Sequence, residues 1–227
     1  MRYIDLNADL GEEVSDDTAL LEVVTSANVA CGYHAGNATI MAAVCEGAAR
    51  LGVAVGAQVS YDDRANFGRV PVDLDPELLR EHVADQVETL ETIAARSGLR
   101  VSYVKPHGAL YHRVLDDPAQ AQALLDASGS LPVLTMDGAL ARLAAAAGRR
   151  VVAEGFPDRG YAADGRLLPR THPDALIEEE SEVSAAAVAL AQRVASVCVH
   201  GDSQRAVAHA RAVRAALEDA GFSLRRF

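Results

Sequence analysis

The sequence predicts an α/β fold in which seven short strands alternate with helices and close into a βα barrel. Strand-length apolar runs recur along the whole chain, separated by helix-length amphipathic segments, and this alternation is typical of a parallel sheet. Nearly every strand is followed by polar, titratable and glycine-containing sequence. This favours a barrel, because all the strand exits of a barrel share one face. An open doubly wound sheet is the alternative, in which only some of the exits would meet.

The predicted elements follow one another without a linker or an internal repeat, so we expect one domain over residues 1–227. We expect strands at Tyr3–Asn7, Ser26–Ala30, Val53–Ala57, Val101–Lys105, Pro132–Leu134, Val151–Glu154 and Ser196–Val199. We expect helices at Asp17–Val24, Ala38–Leu51, Pro76–Ser97, Asp117–Ala127 and Gln204–Ala220. The third helix is the best marked, because Asp75 and Pro76 make a capped start and Gly98 makes an end.

Composition excludes several classes of function. The formal charge of −11 argues against nucleic acid and anionic membrane partners, which need a basic surface. No apolar run is long enough to cross a bilayer, and the chain starts on a strand with no targeting segment ahead of it. The three cysteines have neither zinc-type nor disulfide-type spacing, which fits a reducing cytoplasm.

The first strand carries polar side chains on one face. Side chains alternate along a strand, so Asp5, Asn7 and Asp9 point to one side and the apolar residues between them to the other. One interpretation is an edge strand with a wet face. The other is a carboxylate cluster that holds a metal, orients a substrate or abstracts a proton, because buried polar groups are costly unless they are paired or used.

The second strand exit contains His34 in a glycine-flanked turn. Together with Asp9 it would make half of a metal site, but catalytic zinc usually has three protein ligands. The third would come from the next exit, where Gln58 stands and offers only a weakly ligating amide. A hydrogen-bonding role for His34 is the alternative.

Lys105 is the single lysine among 21 basic residues, and it lies at the fourth strand exit. His107 is two residues on, so both side chains are expected to face one pocket, with the backbone fixed by the intervening proline. A Lys–His pair could act as acid and base, since like charges lower each other's pKa.

The later exits supply further polar groups. Arg159 and Arg170 could clamp a carboxylate, and His200 with Asp202 closes the ring of exits. The other histidines without a neighbouring cluster are interpreted as surface residues: His82, His172 and His209.

Taken together and in order, several segments resemble the LamB/YcsF family from Ile4 to about Leu224. They are Asp5–Glu12, Ser26–Gly36, Phe67–Arg69, Val104–Tyr111, Asp158–Tyr161, Gly165–Leu167 and Cys198–Asp202. The resemblance implies an irregular seven-stranded βα barrel, TIM-like and similar to that of sugar deacetylases. It also implies the A subunit of an ATP-dependent 5-oxoprolinase, which opens the lactam ring of 5-oxo-L-proline to give L-glutamate together with two partner subunits, B and C.

The resemblance implies that ATP is used by or with the partners, which agrees with the missing phosphate-binding loop in this sequence. A divalent metal and a homo-oligomer are both compatible with it. The residues expected to be catalytic are Asp9, Lys105 and His107. Those expected to bind substrate are Asn7, Asn28, Glu154, Arg159, His200 and Asp202, and those expected to bind a metal are Asp9 and His34.

The chain departs from the family pattern at two places. Members usually carry histidine where Gln58 stands, and the segments 128–131 and 178–196 are shortened, which would shorten or remove the element before the last strand. Two other functions therefore stay open. One is a divergent metal-dependent amide hydrolase, and the other is a non-catalytic binding subunit.

Overall fold

Seven parallel strands form a closed barrel in the computed structural model, which describes residues 2–227. The strands are β1 (Arg2–Leu10), β2 (Ser26–Ala30), β3 (Ala54–Val59), β4 (Val101–Pro106), β5 (Val133–Thr135), β6 (Val151–Gly155), β7 (Ser196–Val199) and a short added strand, β8 (Phe222–Leu224). They pair in chain order from β2 to β7, and β1 closes the ring by pairing with both β7 and β2. The barrel prediction is confirmed and the open sheet is excluded.

The barrel is irregular, as the family resemblance implied. The register between β3 and β4 shifts at Val55/Gly56, and β4 and β5 share the single registered pair Val104↔Val133. β8 pairs only with the first residues of β1, outside the ring of seven. The irregularity of the ring is therefore concentrated around β4.

Eight α-helices and one 3-10 turn surround the strands within the described residues. The helices are α1 (Asp17–Leu21), α2 (Ala38–Leu51), α3 (Pro76–Arg96), α4 (Gly108–Asp116), α5 (Pro118–Ala127), α6 (Ala139–Ala146), α7 (Glu180–Leu190) and α8 (Ala206–Asp219), with the turn at Arg64–Asn66. The predicted start of α3 is confirmed, because the Asp75 carboxylate accepts hydrogen bonds from the Glu77 and Leu78 amides and Pro76 follows it.

Three helices and one strand are additional to those predicted. α4 begins at the glycine of a Lys-Pro-His-Gly segment, whose proline and glycine are turn signals. α6 has only eight residues, and the alanine-rich α7 has little apolar periodicity. β8 has three residues and depends on pairing with the opposite end of the chain.

The segment before β7, which was expected to be shortened or removed, contains the 11-residue helix α7, which buries Val183 and Ala187, so removal is excluded. One expectation from the sequence is wrong. His209 is not a surface residue. It lies on the inner face of α8, is buried, and its Nε2 is 3.0 Å from the carbonyl oxygen of Glu178.

The apolar core lies between the strands and the helices, whereas the interior of the barrel is largely polar. Asp5 accepts hydrogen bonds inside the barrel from the hydroxyls of Thr25, Ser26 and Ser196. Burial raises the pKa of Asp5 to about 6, although these hydrogen bonds act in the opposite direction. The polar face of β1 is therefore buried and hydrogen-bonded, and the interpretation of β1 as an edge strand with a solvent-exposed face is excluded.

A large aromatic side chain crosses the interior next to a glycine. A Cβ on Gly56 would lie 2.1 Å from the ring of Tyr103, so only glycine leaves room for it. The Tyr103 hydroxyl then reaches across the barrel and donates to Asn28 Oδ1 at 2.7 Å. This packing connects β3, β4 and β2 beneath the carboxyl ends of the strands.

Across residues 2–227, none of the helices combines the length and the apolar character that a membrane span requires.

Candidate active site

A cavity of about 580 Å³ opens at the carboxyl ends of the strands. Its wall includes Asp9, Lys105, His107, Arg159 and His200, which were all predicted from strand exits. Parallel strands deliver these exits to one face of the barrel, and that face is where barrel enzymes build their active sites. The cavity is therefore the candidate active site.

Lys105 lies at the inner end of the cavity and is buried among acidic partners. Its Nζ is 3.0 Å from Asp9 Oδ1, 3.0 Å from Glu154 Oε1 and 3.0 Å from Cys198 Sγ. Burial alone would lower the Lys105 pKa, but Asp9, Cys198 and Glu154 outweigh it and raise the pKa well above its ordinary value. The predicted lowering of the Lys105 pKa is thus wrong, since Asp9 and Glu154 from other strands outweigh the effect of burial.

Asp9 stays ionised for the same reason. Burial raises the Asp9 pKa, but Lys105 and His200 outweigh it and lower the pKa below the ordinary value. The amide of Asn28 donates to Asp9 Oδ1 at 2.8 Å and to Asn7 Oδ1 at 2.7 Å. Asp9 is consequently a fixed carboxylate that faces the cavity from a buried polar network.

Asn7, Asn28 and Glu154 lie beneath the cavity and not in its wall. The two asparagines are fully buried, and Asn7 also donates to Ser196 Oγ at 2.6 Å. Glu154 accepts a 3.1 Å hydrogen bond from the Tyr111 hydroxyl, and burial raises its pKa. These three predicted residues therefore lie behind Asp9 and Lys105 and support their positions. They are not placed to contact a molecule in the cavity directly.

A second buried cluster lies beside Lys105 and contains Glu12, His34 and His107, whose ligand-type atoms all lie within 4.8 Å of one another. The imidazole rings of His34 and His107 are stacked with centroids 3.9 Å apart. A Cβ on Gly68 would lie 3.0 Å from His34 Cβ and 3.3 Å from His107 Cδ2, so a glycine there permits this close packing. His34 thus groups with Glu12 and His107, and Asp9 is not a member of this group.

Gln58 hydrogen-bonds within the same cluster. Its Nε2 is 3.0 Å from Glu12 Oε1 and 3.0 Å from His107 Nδ1. Burial, followed by Asp9, raises the Glu12 pKa to about 8, and burial lowers the His34 pKa to about 4. Among the described residues, Glu12 Oε2 and His34 Nδ1 have no hydrogen-bond partner. The unpaired atoms of Glu12 and His34, together with the imidazole of His107, form a donor set that fits a divalent transition metal.

Glu12 belongs to one of the family segments but was not predicted as a site residue. Its neighbour Gly11, with a φ of 76°, turns the chain after β1 and directs the next side chain inward. The signal was an acidic residue directly after a strand and a glycine. It gave no indication of which histidines the carboxylate would meet.

His200 pairs with Asp158, which the sequence did not single out as a site residue. Its Nδ1 lies 3.0 Å from both carboxylate oxygens of Asp158, and its backbone N–H donates to Asp158 Oδ2 at 2.9 Å. Asp202 contacts Arg69 instead, and it also lies 3.2 Å from Arg170 Nη2. His200 and Asp202 therefore have different partners, because the exit of neighbouring β6 brings Asp158 next to His200.

Arg159 lines the cavity, but part of its guanidinium is already engaged. Its Nε donates to the carbonyl of Ala175 at 3.0 Å and its Nη2 to the carbonyl of Leu168 at 2.7 Å. Burial, followed by Arg170, lowers the Arg159 pKa to about 10. Arg159 thus holds the loop between β6 and α7 in place, and Arg170 from that loop also reaches the cavity.

The fold first defines the structural class to which the barrel belongs. A family 4 carbohydrate esterase from Streptomyces lividans superposes with a TM-score of 0.57 over 98% of this chain and 91% of that one, at 12% identity. This likeness places the chain among irregular barrels of the carbohydrate-deacetylase type by fold alone. A lactam utilization protein from Thermus thermophilus is much more similar, with a TM-score of 0.92, 34% identity and full coverage of both chains.

The family follows from the sequence comparisons. The LamB/YcsF family model matches residues 4–227, and the chain belongs to that family. A relative from Streptomyces avermitilis, named as the A subunit of 5-oxoprolinase, is 49% identical over 248 residues, covering 99% of both chains. A relative of the same name from Mycobacterium avium is 46% identical and covers all of both.

Proposed function

We propose that this protein is the A subunit of a 5-oxoprolinase and that it hydrolyses the lactam ring of 5-oxo-L-proline to L-glutamate. The observation that carries the proposal is the buried Asp9–Lys105 pair at the inner end of the cavity. The choice of substrate follows the name of relatives at 42–49% identity, which are described as the A subunit of 5-oxoprolinase. The matched region supports a single domain over residues 1–227.

The chemistry follows from the two charges. Lys105 stays an ammonium ion, so we assign it to the lactam oxygen, where negative charge develops when water attacks the ring carbon. Asp9 is an ionised carboxylate in the cavity wall and orients the attacking water. Arg159, with Arg170, provides positive charge for the substrate carboxylate, and His200 also contacts the substrate. Asp202 positions Arg170, and Asn7, Asn28 and Glu154 support Asp9 and Lys105.

We further propose that a divalent metal binds to Glu12, His34 and His107. A metal held there would lower the pKa of a bound water or polarise a carbonyl. His107, which the sequence placed among the catalytic residues, would then act as a ligand. Its Nε2 hydrogen-bonds to the carbonyl of Phe67 at 3.1 Å, so its Nδ1 would have to exchange the contact with Gln58 for the metal. Thermal unfolding with Zn²⁺, Mn²⁺ or Co²⁺ tests this, and we expect stabilisation of the wild type that His34→Ala abolishes.

The reaction needs ATP, which we assign to two partner subunits, B and C, because the sequence has no phosphate-binding loop. A cytoplasmic location is part of the proposal and is supported by three buried free cysteines. A homo-oligomer of this chain within the complex is compatible with the proposal.

The test is glutamate release from 5-oxoproline, measured with this protein mixed with both candidate partners and ATP, and with each component omitted in turn. We expect release only from the complete mixture. Release without ATP or partners would favour a stand-alone metal-dependent amide hydrolase, for which the Glu12, His34 and His107 group is the supporting observation. Substrate binding without turnover in the complete mixture would favour a non-catalytic role.

A further inference from the structure

Hydrolysis of a lactam requires a group that moves a proton from water to the departing nitrogen, and the cavity wall contains few candidates. Lys105 is unsuitable, because Asp9 and Glu154 hold it as an ammonium ion. His107 is unsuitable as well, because Gln58 contacts its Nδ1 and its Nε2 contacts a backbone carbonyl.

His200 meets the requirement. It lies in the cavity wall at the end of β7, and its ring stacks on Phe156 with centroids 5.1 Å apart and an interplanar angle of 25°. The two contacts between its Nδ1 and Asp158 leave Nε2 as the nitrogen available to the cavity. His112 also lines the cavity, but it is exposed and no carboxylate orients its ring within residues 2–227.

The carboxylate of Asp158 fixes both the position and the tautomer of this ring. It is largely buried, and it accepts from the backbone N–H of His200 as well as from the ring. A carboxylate on Nδ1–H leaves the lone pair on Nε2, and it stabilises the imidazolium that forms when Nε2 takes a proton. The arrangement is therefore that of a His–Asp pair prepared for general acid–base chemistry.

We propose that His200 is the proton-transfer residue of the ring-opening reaction and that Asp158 is its positioning residue. His200 Nε2 takes one proton from the attacking water as the oxygen–carbon bond forms. It returns that proton to the lactam nitrogen as the carbon–nitrogen bond breaks, so that the ring carbon keeps the hydroxyl as a carboxyl group and the nitrogen leaves as an amine. This assignment rests on the proposed function for its substrate.

The first test compares variants in the complete assay with both partners and ATP. His200→Ala should lower kcat by about 10²–10⁴-fold with little change in KM, and added imidazole should restore part of the loss. Asp158→Asn should also lower kcat, because the amide no longer selects the Nδ1–H tautomer. His172→Gln is the matched control, since His172 is an exposed histidine whose Nδ1 lies 3.8 Å from Asp174, and it should retain full activity.

The second test needs neither partners nor turnover, so it separates this proposal from the proposed function. Nitrogen NMR of histidine-labelled protein should show the neutral His200 ring protonated on Nδ1, and Asp158→Asn should lose that preference. A neutral ring protonated on Nε2 would overturn the proposal even if the wild type is active. Full activity of His200→Ala would overturn it too. An inactive wild type whose ring carries its proton on Nδ1 would refute only the 5-oxoprolinase assignment.

Discussion

Replacing Lys105 with Met removes the ammonium ion that neutralises Asp9 and Glu154, while the unbranched side chain keeps most of the packing. Nζ lies 3.0 Å from each of the two carboxylates, and all three groups are buried. Loss of one partner from a buried ion pair costs about 3–5 kcal/mol, because the other charge stays in a medium of low polarity. We therefore expect the free energy of unfolding to fall by about 3–5 kcal/mol at neutral pH.

Activity should fall more steeply than stability. Removal of one group that stabilises a developing oxyanion typically lowers kcat by about 10²–10³-fold, so glutamate release in the complete mixture should be nearly abolished. Urea unfolding followed by circular dichroism measures the stability, at neutral pH and again under mildly acidic conditions. The loss should be smaller in acid, because protonation neutralises the carboxylates that Lys105 no longer balances.

The double variant Lys105→Met/Asp9→Asn is the matched control for charge. It removes one of the two uncompensated carboxylates, so it should be more stable than Lys105→Met alone, yet equally inactive. A stability loss well under 1 kcal/mol in Lys105→Met would contradict the buried ion-pair network. Undiminished glutamate release would remove Lys105 from the mechanism altogether.

Three further predictions concern the barrel interior and the second cluster. Asp5 has a pKa of about 6 in the folded state against 3.8 ordinarily, so the folded chain holds a proton that the unfolded chain releases. Its contribution to stability is complete below pH 3.8 and is lost as the pH rises to about 6, by roughly 3 kcal/mol. Asp5→Asn should lack this decline in urea unfolding across that range, and parallel pH curves for both proteins would disprove the buried state of Asp5. Gly56→Ala should lower the unfolding free energy by about 1–3 kcal/mol, because the new methyl group meets the Tyr103 ring; Tyr103→Leu should relieve part of that cost in the double variant. Gln58→His should increase the affinity for Zn²⁺ in calorimetric titration by adding a third imidazole to the cluster, and equal affinity in both proteins would argue against a metal at this position.

The course of the backbone was largely readable from local patterns. β2, β7 and α2 have the predicted bounds, because strand-length apolar runs and an asparagine cap depend only on neighbouring residues. The cap is Asn37, whose side chain accepts from the Thr39 and Ile40 amides. α6 and α7 were not predicted, since α6 has only eight residues and the apolar face of the alanine-rich α7 is weakly marked.

The site was predicted in composition but not in its pairings. Strand exits identified Asp9, Lys105 and His200 as cavity residues, because parallel strands must deliver their ends to one face. The same logic could not say that His200 would pair with Asp158 instead of Asp202. That choice depends on β6 lying next to β7 in the closed ring, which is a contact across 42 residues of chain.

The sequence by itself determined that strands alternate with helices and that the strand exits carry titratable residues, because both are local features of the chain. It favoured a barrel, and the pairing of β1 with both β2 and β7 decided against the open sheet. Only the tertiary structure decided the charge states on that face. Lys105 is held as a cation because Asp9 comes from β1 and Glu154 from β6, on either side of β7 in the ring. Protonation in a buried site depends on the total of surrounding charges and on desolvation, and both are set by residues distant in the chain.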